Sequence, residues 1–421
     1  MFSINCKLLQ QILCDIRRAL GIRKSAYHPV TISVDRDAVL VRVETKDTSI
    51  ACQIPGGQSK PQTVTLPMQV LAGVNCLPKR DVSFDPSESG VRMSWWQDGQ
   101  EVSQTVDSLP AVETPHIAPE WLLINNRRLG QVLRQAAYLT DPDSSRYSLG
   151  CIRIRGRDGQ IAASDGRQAF THSGFGLPVD EVLVPAATLK QLKCLDTCSS
   201  ISVGRSSDWI SLRMAVGPLR WLVDLKLANQ GRFPNVDQCM PSPNSARCTL
   251  TIAKSDAEYL QNHLAKLFGK SSDIQPLTID LSRDEVTGQQ RVLLRFAGRS
   301  SVLAAHRLEI PEIDGRTTHS GRLGTSGLPA SSDFLTTEPV ELCLENSHYD
   351  LLPMQISMDY RHLLAALSIG FRQIQLGTPT SPVWCDAGVR RYVCSVMHVS
   401  QVQDTSPHAV SISTRRDLVA A

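Results

Sequence analysis

Internal repetition constrains this chain more than any other feature, because related segments of one chain are expected to fold into related units. The segment INCKLLQQIL at residues 4–13 recurs as INNRRLGQVL at residues 124–133. A weaker third version, TIAKSDAEYLQNHLAKLFG, begins near Ile252. All three carry apolar residues at helical spacing, so the pattern predicts three amphipathic helices that open three successive repeats.

A second repeated element predicts a strand that ends at a proline and leads into a short helix. It occurs as VTLP at residues 64–67 and as VLVP at residues 182–185, with ISMD at 356–359 as a third candidate. Proline suits the start of a helix because its missing N–H is not needed there. The alternating segments VSF at 82–84 and ISV at 201–203 predict further strands. Each repeat is therefore expected to run helix, strands, helix, strands.

The repeat starts at Ile4, Ile124 and Ile252 predict tandem domains, because four similar segments recur in the same order. The predicted domains are residues 1–119, 120–243 and 244–400, followed by a C-terminal tail at 401–421. The third domain is longer and predicts an insertion around 313–338, where a Gly/Ser/Thr-rich stretch indicates a mobile loop.

Composition narrows the class of protein. Hydrophobic residues make up 42% of the chain, as in ordinary globular proteins, and no apolar run approaches the roughly 18 residues of a membrane helix. The N-terminus is amphipathic and unlike a secretion signal, so we expect a cytoplasmic protein.

The 12 cysteines are scattered and the histidines lack ligand spacing. Reduced, buried thiols are expected, with no metal and no cofactor.

The distribution of charge is more informative than the total of +3. The predicted helical segments sum to +13 and the rest of the chain to −10; the segments are residues 4–24, 67–80, 124–140, 185–195, 252–270 and 359–372. Counting Asp81, Asp141 and Asp196, which border the helices, changes these totals to +10 and −7. For a single helix, Lys and Arg on a solvated face would be a sufficient explanation. Across a repeated set, a shared basic surface that attracts a phosphate backbone without reading bases is the better hypothesis.

Four short segments carry a family resemblance that extends from Phe2 to about Val399. They are RYSL at 146–149, SDGRQA at 164–169, GRFP at 231–234 before Met240-Pro241, and YVCSVM at 392–397. Their order and their places in the repeats resemble the RYYLNG, TDGHRL, GRFPDYRRVLP and YVVMPM segments of the bacterial DNA polymerase III β subunit, the sliding clamp.

The resemblance implies an α+β fold of three tandem clamp-type domains, each with helices on one face of antiparallel sheet, that together form half of a ring. In that family, a head-to-tail homodimer encircles double-stranded DNA without sequence specificity and tethers a polymerase without catalysing a reaction. The DNA-facing residues that it implies here are Arg23, Lys24, Arg127, Arg128, Arg134, Arg146, Tyr147, Lys190 and Lys193.

The resemblance also implies an apolar groove that takes a short peptide of the DNA polymerase III catalytic subunit and of the clamp loader. Such a groove anchors one or two apolar side chains inside a polar rim. Its implied lining is Leu149, Ser164, Gly166, Arg167, Gln168, Ala169, Pro234, Gln238, Cys239, Val393, Cys394, Ser395 and Met397.

The sequence departs from the family pattern at this groove. Asp237-Gln238-Cys239 replaces R-R-V, and the tail after Val399 starts beside the groove. The alternative is therefore a clamp-fold scaffold or regulatory paralogue that has lost polymerase and loader binding. An enzyme built on Asp165, His172 and Ser173 is disfavoured because no nucleophile elbow is present, and Asp165-Gly166 predicts a turn.

Overall fold

The computed structural model of the 421-residue chain divides into two compact units, residues 1–237 and 238–421. Its described residues are 1–56, 60–75, 79–88, 90–110, 121–124, 128–177, 179–228, 231–268, 274–284, 286–299, 337–398, 403 and 406–414.

The described helices follow the repeated pattern of one long helix and a later, shorter one. They are α1 (Cys6–Ala19), α2 (Met68–Gly73), α3 (Arg128–Tyr138), α4 (Ala186–Gln191), α5 (Cys194–Thr197), α6 (Val236–Cys239), α7 (Lys254–Phe268) and α8 (Tyr360–Ile369). Short 3-10 helices occur at Tyr147–Gly150, Gly156–Asp158 and Pro243–Ser245.

The described strands fall into three sets, one for each repeat. The first repeat has β1 (Phe2–Asn5), β2 (Pro29–Val34), β3 (Ala38–Glu44), β4 (Thr48–Pro55), β5 (Gln62–Pro67), β6 (Asp81–Ser87), β7 (Gly90–Gln97) and β8 (Gln100–Val106). The second has β9 (Trp121–Ile124), β10 (Cys151–Arg155), β11 (Gln160–Ser164), β12 (Gln168–His172), β13 (Glu181–Pro185), β14 (Ser200–Ser206), β15 (Trp209–Val216) and β16 (Leu219–Lys226). The third has β17 (Cys248–Thr251), β18 (Pro276–Arg283), β19 (Gln290–Arg299), β20 (Thr337–Cys343), β21 (His348–Leu351), β22 (Met354–Asp359), β23 (Gln373–Leu376), β24 (Val383–Ala387), β25 (Arg390–Cys394) and β26 (Val410–Ser413).

In the first unit, the strands of two repeats form antiparallel sheet. The strand orders are β1-β6-β7-β8, β5-β2-β3-β4-β16-β15-β14-β9 and β13-β10-β11-β12. The long sheet joins the two repeats through β4 and β16, which pair from Gln53–Arg220 to Thr48–Leu225. Two repeats thus share one continuous sheet, with its hydrogen bonds unbroken at the junction.

In the second unit, one sheet has the order β22-β18-β19-β20-β26, and the strands β25-β24-β23-β17-β21 are also consecutive. The final strand is unusual because β26 runs parallel to β20, pairing from Val340–Val410 to Cys343–Ser413. The predicted C-terminal tail at 401–421 therefore contains a strand.

The three predicted opening helices are confirmed, and each buries one apolar stripe. In α1 the side-chain oxygen of Asn5 accepts a hydrogen bond from the Leu8 backbone N–H at 3.2 Å, which caps the helix. Leu9 and Leu13 of α1 and their counterparts Leu129 and Leu133 of α3 are all buried. The repeated spacing therefore corresponds to a repeated core contact.

The predicted strand–helix elements are also confirmed. Pro67 and Pro185 end β5 and β13 and are the cap residues of α2 and α4. In the third repeat the Asp359 carboxylate takes the capping position and accepts from the Arg361 backbone N–H at 3.0 Å. Each of these residues ends an extended segment and precedes a helix, and of the three only Asp359 makes a side-chain capping hydrogen bond.

Two helices end earlier than the sequence indicates. The left-handed Gly21 (φ 66°) follows α1, so Arg23 and Lys24 lie in a loop. The α2 helix ends at Gly73, which leaves Lys79 and Arg80 beyond it. The prediction that these four cations lie on helices is therefore wrong.

The expectations for the cysteines, the insertion and the domain boundaries have different outcomes. Cys6 is disulfide-bonded, so the expectation of reduced thiols is wrong there, whereas Cys52, Cys248 and Cys385 are free and buried as expected. The predicted insertion at 313–338 lies outside the described residues, except for its last two residues, which belong to β20. The predicted domain boundaries stay a prediction.

Candidate DNA-facing and peptide-binding residues

Several predicted DNA-facing cations lie at the surface of the first unit. Arg23 and Lys24 are exposed in the loop after α1, Arg128 is exposed at the start of α3, and Lys193 is exposed just before α5. The remaining predicted positions vary in setting. Arg146 is exposed, Tyr147 begins a 3-10 helix, and Arg127 lies outside the described residues.

Arg134 differs from the other candidates because it already has an acidic partner. Its guanidinium forms an ion pair with Asp196 and donates to the Tyr138 hydroxyl at 3.2 Å. The Tyr138 ring has this guanidinium 5.5 Å from its centroid, and the Lys190 ammonium at 5.4 Å. Tyr138 is 51% exposed, so this cluster presents one aromatic ring between two cations. Sequence reasoning missed Tyr138, although its spacing of four from Arg134 places both on one helical face.

The helices of the first two repeats pack together. α1 contacts α4, and α3 contacts both α4 and α5. As a result Arg18 of the first repeat and Lys193 of the second line the same cavity, of about 430 Å³. Asp15 and Trp221 also line it, so the cavity has acidic and aromatic side chains as well as cations. Cations from two repeats therefore line one cavity, and the shared basic surface stays a prediction.

The first-unit part of the predicted groove centres on the turn between β11 and β12. The Asp165 carboxylate accepts from the backbone N–H groups of Arg167 and Gln168, both at 2.8 Å. Gly166 has a left-handed φ of 90°, and a β-carbon placed on it would lie 3.5 Å from Leu149 Cδ1. The Ser164 hydroxyl donates to the Gln168 carbonyl at 2.7 Å. The predicted turn at Asp165-Gly166 is confirmed.

The GRFP segment approaches this turn from a different part of the sequence. A β-carbon on Gly231 would lie 3.5 Å from the β-carbon of Ser148, the neighbour of Leu149. Leu149 and Ala169 are buried, while Pro234 is half-buried and Arg167 is exposed. Buried apolar atoms next to exposed polar ones give the composition expected for the wall of a peptide groove.

A polar network that sequence reasoning missed holds the end of the GRFP segment. The buried Arg153 donates to Gln160 Oε1 at 2.6 Å, and Gln160 donates to Asp237 Oδ1 at 3.1 Å. Arg155 also donates to Asp237, at 3.2 Å. Burial opposes ionisation of Asp237, but the Gln160 hydrogen bond and the two arginine charges hold the pKa of that carboxyl below its ordinary value. Asp237 therefore tethers this segment as a carboxylate.

The remaining groove candidates belong to the second unit, where burial separates them. Val393 and Cys394 are core residues of β25, 5% and 1% exposed. Outside the core, Gln238, Cys239 and Ser395 are exposed and Met397 is half-buried. The tail strand β26 pairs with β20, whereas Val393 and Cys394 lie on β25 among the strands around β17.

The arrangement expected of a nucleophilic enzyme is not formed at the residues considered for it. Asp165 lies in the turn, while His172 pairs with Ile161 toward the other end of the β11–β12 hairpin. The His172 ring lies 4.8 Å from the Phe175 ring. The described ranges contain no cluster of His, Cys, Asp or Glu side chains suited to a metal ion. Within the same ranges, no helix has both the length and the apolar character needed to cross a membrane.

Comparison with solved structures identifies the fold. The chain is similar to DNA polymerase III subunit β from Borrelia burgdorferi, with a TM-score of 0.67 and 11% identity over 94% of this chain and 99% of that one. The β sliding clamp from C. crescentus gives 0.66 and 15% identity over 94% and 98% of the two chains. The sliding clamp from Pseudomonas aeruginosa gives 0.65 and 14% identity over 94% and 99%.

Sequence comparison alone finds no such likeness: no protein-family model matches, and no curated protein matches either. The chain nevertheless has the sliding-clamp fold, an α+β arrangement of antiparallel sheets and few helices. The predicted resemblance is confirmed for the fold.

Proposed function

We propose that this chain is a sliding-clamp-like protein that encircles duplex DNA as a head-to-tail homodimer in the cytoplasm and tethers a replicative polymerase. The observation that carries the proposal is the extent of the clamp fold, which covers 94% of the chain at nearly the full length of the similar clamps. A fold retained over three repeats at this level of identity supports a function that depends on the whole architecture. It requires no catalytic residue.

The surface cations supply the chemistry for DNA binding. Arg23, Lys24, Arg128 and Lys193 are exposed, and Arg18 joins Lys193 at one cavity. Side chains of this kind attract phosphates regardless of base sequence, and their binding weakens as salt displaces the released counterions. A ring needs only weak contacts of this type, because topology keeps it on the DNA while it slides.

The repeat architecture supports a homodimeric ring. Two copies of three repeats provide six similar repeats, and one kind of head-to-tail contact used repeatedly closes a ring. The junction of β4 with β16 is one example of that contact, formed between the first and second repeats.

Partner binding is proposed at the predicted groove. In the first unit, the Leu149 side chain lies close to Gly166 and beside the exposed Arg167. A short peptide with an aliphatic or aromatic anchor, from the DNA polymerase III catalytic subunit or the clamp loader, suits this surface.

A second candidate function is a clamp-fold scaffold or regulatory paralogue without polymerase and loader binding. The observation that favours it is the commitment of Asp237 to Arg153, Arg155 and Gln160, at a position where the family pattern has arginine. Titration of a labelled clamp-binding peptide separates the two candidates. Binding that is lost in Gly166→Leu supports the polymerase tether, whereas no binding to the unaltered chain supports the scaffold.

The proposed encirclement is tested by retention on DNA of defined topology. The protein is incubated with nicked circular DNA, and bound protein is separated by gel filtration before and after the circle is cut once. We expect protein that co-elutes with the circle and is released on linearisation. Equal retention on circular and linear DNA would contradict encirclement, because a ring can slide off the end of linear DNA but not off a circle.

A further inference from the structure

We propose that the C-terminal strand β26 occupies the sheet edge through which a second copy of this chain closes the ring, so that β26 must leave β20 before the head-to-tail dimer forms. The inference rests on the proposed function, because it concerns the closure of that ring. It identifies the docking edge as β20, the partner strand as β8 of a second copy, and residues 410–413 as their competitor.

The order of strands identifies equivalent edges in the three repeats. The half-sheets β5-β2-β3-β4, β13-β10-β11-β12 and β22-β18-β19-β20 share one order, so β4, β12 and β20 are equivalent. The half-sheets β1-β6-β7-β8 and β9-β14-β15-β16 share another, so β8 is equivalent to β16. Since β4 of the first repeat pairs with β16 of the second, the contact that links successive repeats is the pairing of these two kinds of strand. A second copy that follows the third repeat would repeat this contact by placing its β8 on β20.

Strand register makes the equivalence residue-specific on the β20 side. In the first repeat, Arg42 pairs with Thr31 on one side and Ala51 on the other. In the third repeat, Arg295 pairs with Thr278 and with Glu341 in the same way. Glu341 is therefore equivalent to Ala51, and two residues later Cys343 is equivalent to Gln53.

The same reasoning applies to the other side of the junction. The tight turns before β8 and β16 close at the pairs Gln97–Gln100 and Val216–Leu219, so Glu101 is equivalent to Arg220. Because Arg220 pairs with Gln53, Glu101 of a second copy is expected to pair with Cys343.

That place is taken by the chain's own tail. Cys343 pairs with Ser413, and Val340 pairs with Val410. The side chain of Ile412 is 8% exposed, and Ser411 is exposed. A strand can add to one edge only once, so β26 and a second copy's β8 exclude each other.

The end of β26 is held by specific polar contacts. The Thr414 hydroxyl donates to Asp256 Oδ1 at 2.7 Å and accepts from the Glu345 backbone N–H at 3.1 Å. The Ser413 hydroxyl donates to Glu345 Oε1 at 2.8 Å. These contacts join the tail to the start of α7 and to the turn after β20, so the strand is fitted to this edge.

The strand β26, which caps the β20 edge and is called the cap below, is nevertheless short enough to be displaced. β26 forms four parallel pairs with β20, whereas β4 and β16 form six antiparallel pairs, the stronger arrangement per residue. The candidate partner β8 is an outer strand of seven residues whose one charged residue is Glu101. Long edges of this kind are usually blunted by lysine, proline or a covering segment, so β8 has the features of a strand that pairs with a partner.

The first test measures the monomer–dimer equilibrium of full-length variants by sedimentation. Ile412→Asp places a charge on the buried side of β26, and Ser411→Asp adds the same charge one residue away on the exposed side. A tethered strand competes at an effective concentration on the order of millimolar. We therefore expect the dimer dissociation constant of Ile412→Asp to be at least about ten-fold lower than that of the unaltered chain or of Ser411→Asp. An unchanged constant in Ile412→Asp would overturn the proposal.

The second test locks the cap instead of removing it. Directly paired residues of adjacent strands lie close enough for a disulfide, so Ser413→Cys is expected to cross-link to the existing Cys343. The oxidised protein should stay monomeric at concentrations where the reduced protein dimerises. A cross-linked chain that dimerises like its reduced form, or a folded chain in which this disulfide does not form, would contradict the proposed cap.

Failure of the inference can be told apart from failure of the proposed function. Ser103→Pro in β8, added to Ile412→Asp, should abolish the strengthened dimer if β8 is the partner strand, and persistence of that dimer would overturn the assignment. If the Ile412→Asp dimer forms but is not retained on circular DNA, the cap is supported and the DNA-encircling function is contradicted.

Discussion

At the scale of single residues, Asp256 is a buried carboxylate of the second unit that requires hydrogen-bond donors. It is fully buried in the first turn of α7, and its carboxylate accepts from the Asn346 backbone N–H at 3.0 Å, Ser347 Oγ at 2.6 Å and Thr414 Oγ1 at 2.7 Å. A buried carboxylate is tolerated when donors of this kind satisfy it. Removing it leaves those donors without a partner.

We therefore expect Asp256→Ala to lower the free energy of unfolding by roughly 3 kcal/mol. Asp350→Ala, at an exposed position of β21, is the matched control and should change it by less than about 0.5 kcal/mol. Urea unfolding followed by circular dichroism measures both. Similar small effects for the two variants would show that the Asp256 contacts contribute little.

Asp224 illustrates a buried carboxyl at the junction of β4 and β16. It is 4% exposed and accepts from the Ser211 hydroxyl at 2.5 Å. Burial raises the pKa of Asp224, although the Ser211 hydrogen bond and the Arg42 charge act in the opposite direction. The folded protein therefore binds this proton more tightly than the unfolded chain does.

The pH dependence follows from that shift. Stability from protonated Asp224 is fully present below the unfolded pKa of about 3.9 and is lost as pH rises through the folded pKa. Asp224→Asn cannot titrate, so the unaltered chain should lose stability relative to this variant as pH rises from about 4 toward 7. Urea unfolding across that range, with the exposed Asp208→Asn as control, measures the difference. A difference that does not vary with pH would contradict the assignment.

The sequence predicts local polar contacts better than distant ones. The Asp165-Gly166 turn is predictable because the residues involved lie within three positions of each other. The contacts of Asp237 with Gln160 and of Asp256 with Thr414 span 77 and 158 positions, so no local pattern indicates them. The peptide-groove candidates Val393 and Cys394 were proposed from a motif, which does not report that both are buried.

At the scale of elements, α3 and the segment before α5 carry two kinds of basic residue. Arg134 is paired with Asp196, whereas Lys193, before α5, is exposed. A residue that contacts phosphate contributes about one unit to the slope of log affinity against log salt. A paired residue contributes mainly to stability, by about 0.5–1 kcal/mol.

We expect Lys193→Gln to reduce the salt slope of duplex binding by about one and Arg134→Gln to leave it nearly unchanged. Fluorescence anisotropy with one labelled duplex, at several salt concentrations, measures both slopes. In thermal unfolding, Arg134→Gln should lose more stability than Lys193→Gln. A larger loss of salt slope in Arg134→Gln would show that the Asp196 pair opens on DNA.

Helix starts were predictable because capping residues and apolar spacing are local. Asn5 and Asp359 both accept hydrogen bonds at the helix starts that the repeats indicate. The end of α1 and the strand β26 were not predicted. The sequence VSIS at 410–413 alternates β-branched and polar residues over only four positions, which is too short to predict a strand by itself, and its pairing with β20 is a contact between distant segments.

At the scale of the whole molecule, the repeats are the basis of the proposed ring. The repeats were detectable in sequence because the opening helices keep the same buried positions, Leu9 with Leu129 and Leu13 with Leu133. What repetition in sequence does not indicate is which edges remain available, since that depends on pairing between strands far apart in the chain. Here the last repeat differs from the others by its own terminal strand, which links ring closure to the tail.

Covalent closure of the ring is a direct test of both encirclement and the proposed pairing of β8 with β20. Glu101→Cys combined with Ile412→Asp should allow Cys343 of one copy to cross-link to position 101 of the next at both junctions of a dimer. Ile412→Asp alone, which lacks the second cysteine, is the control. The dimer is assembled on nicked circular DNA, oxidised, and analysed in denaturant. We expect protein that stays linked to the circle in denaturant and is freed by a single cut in the DNA. Cross-linked protein that leaves the intact circle in denaturant would contradict encirclement.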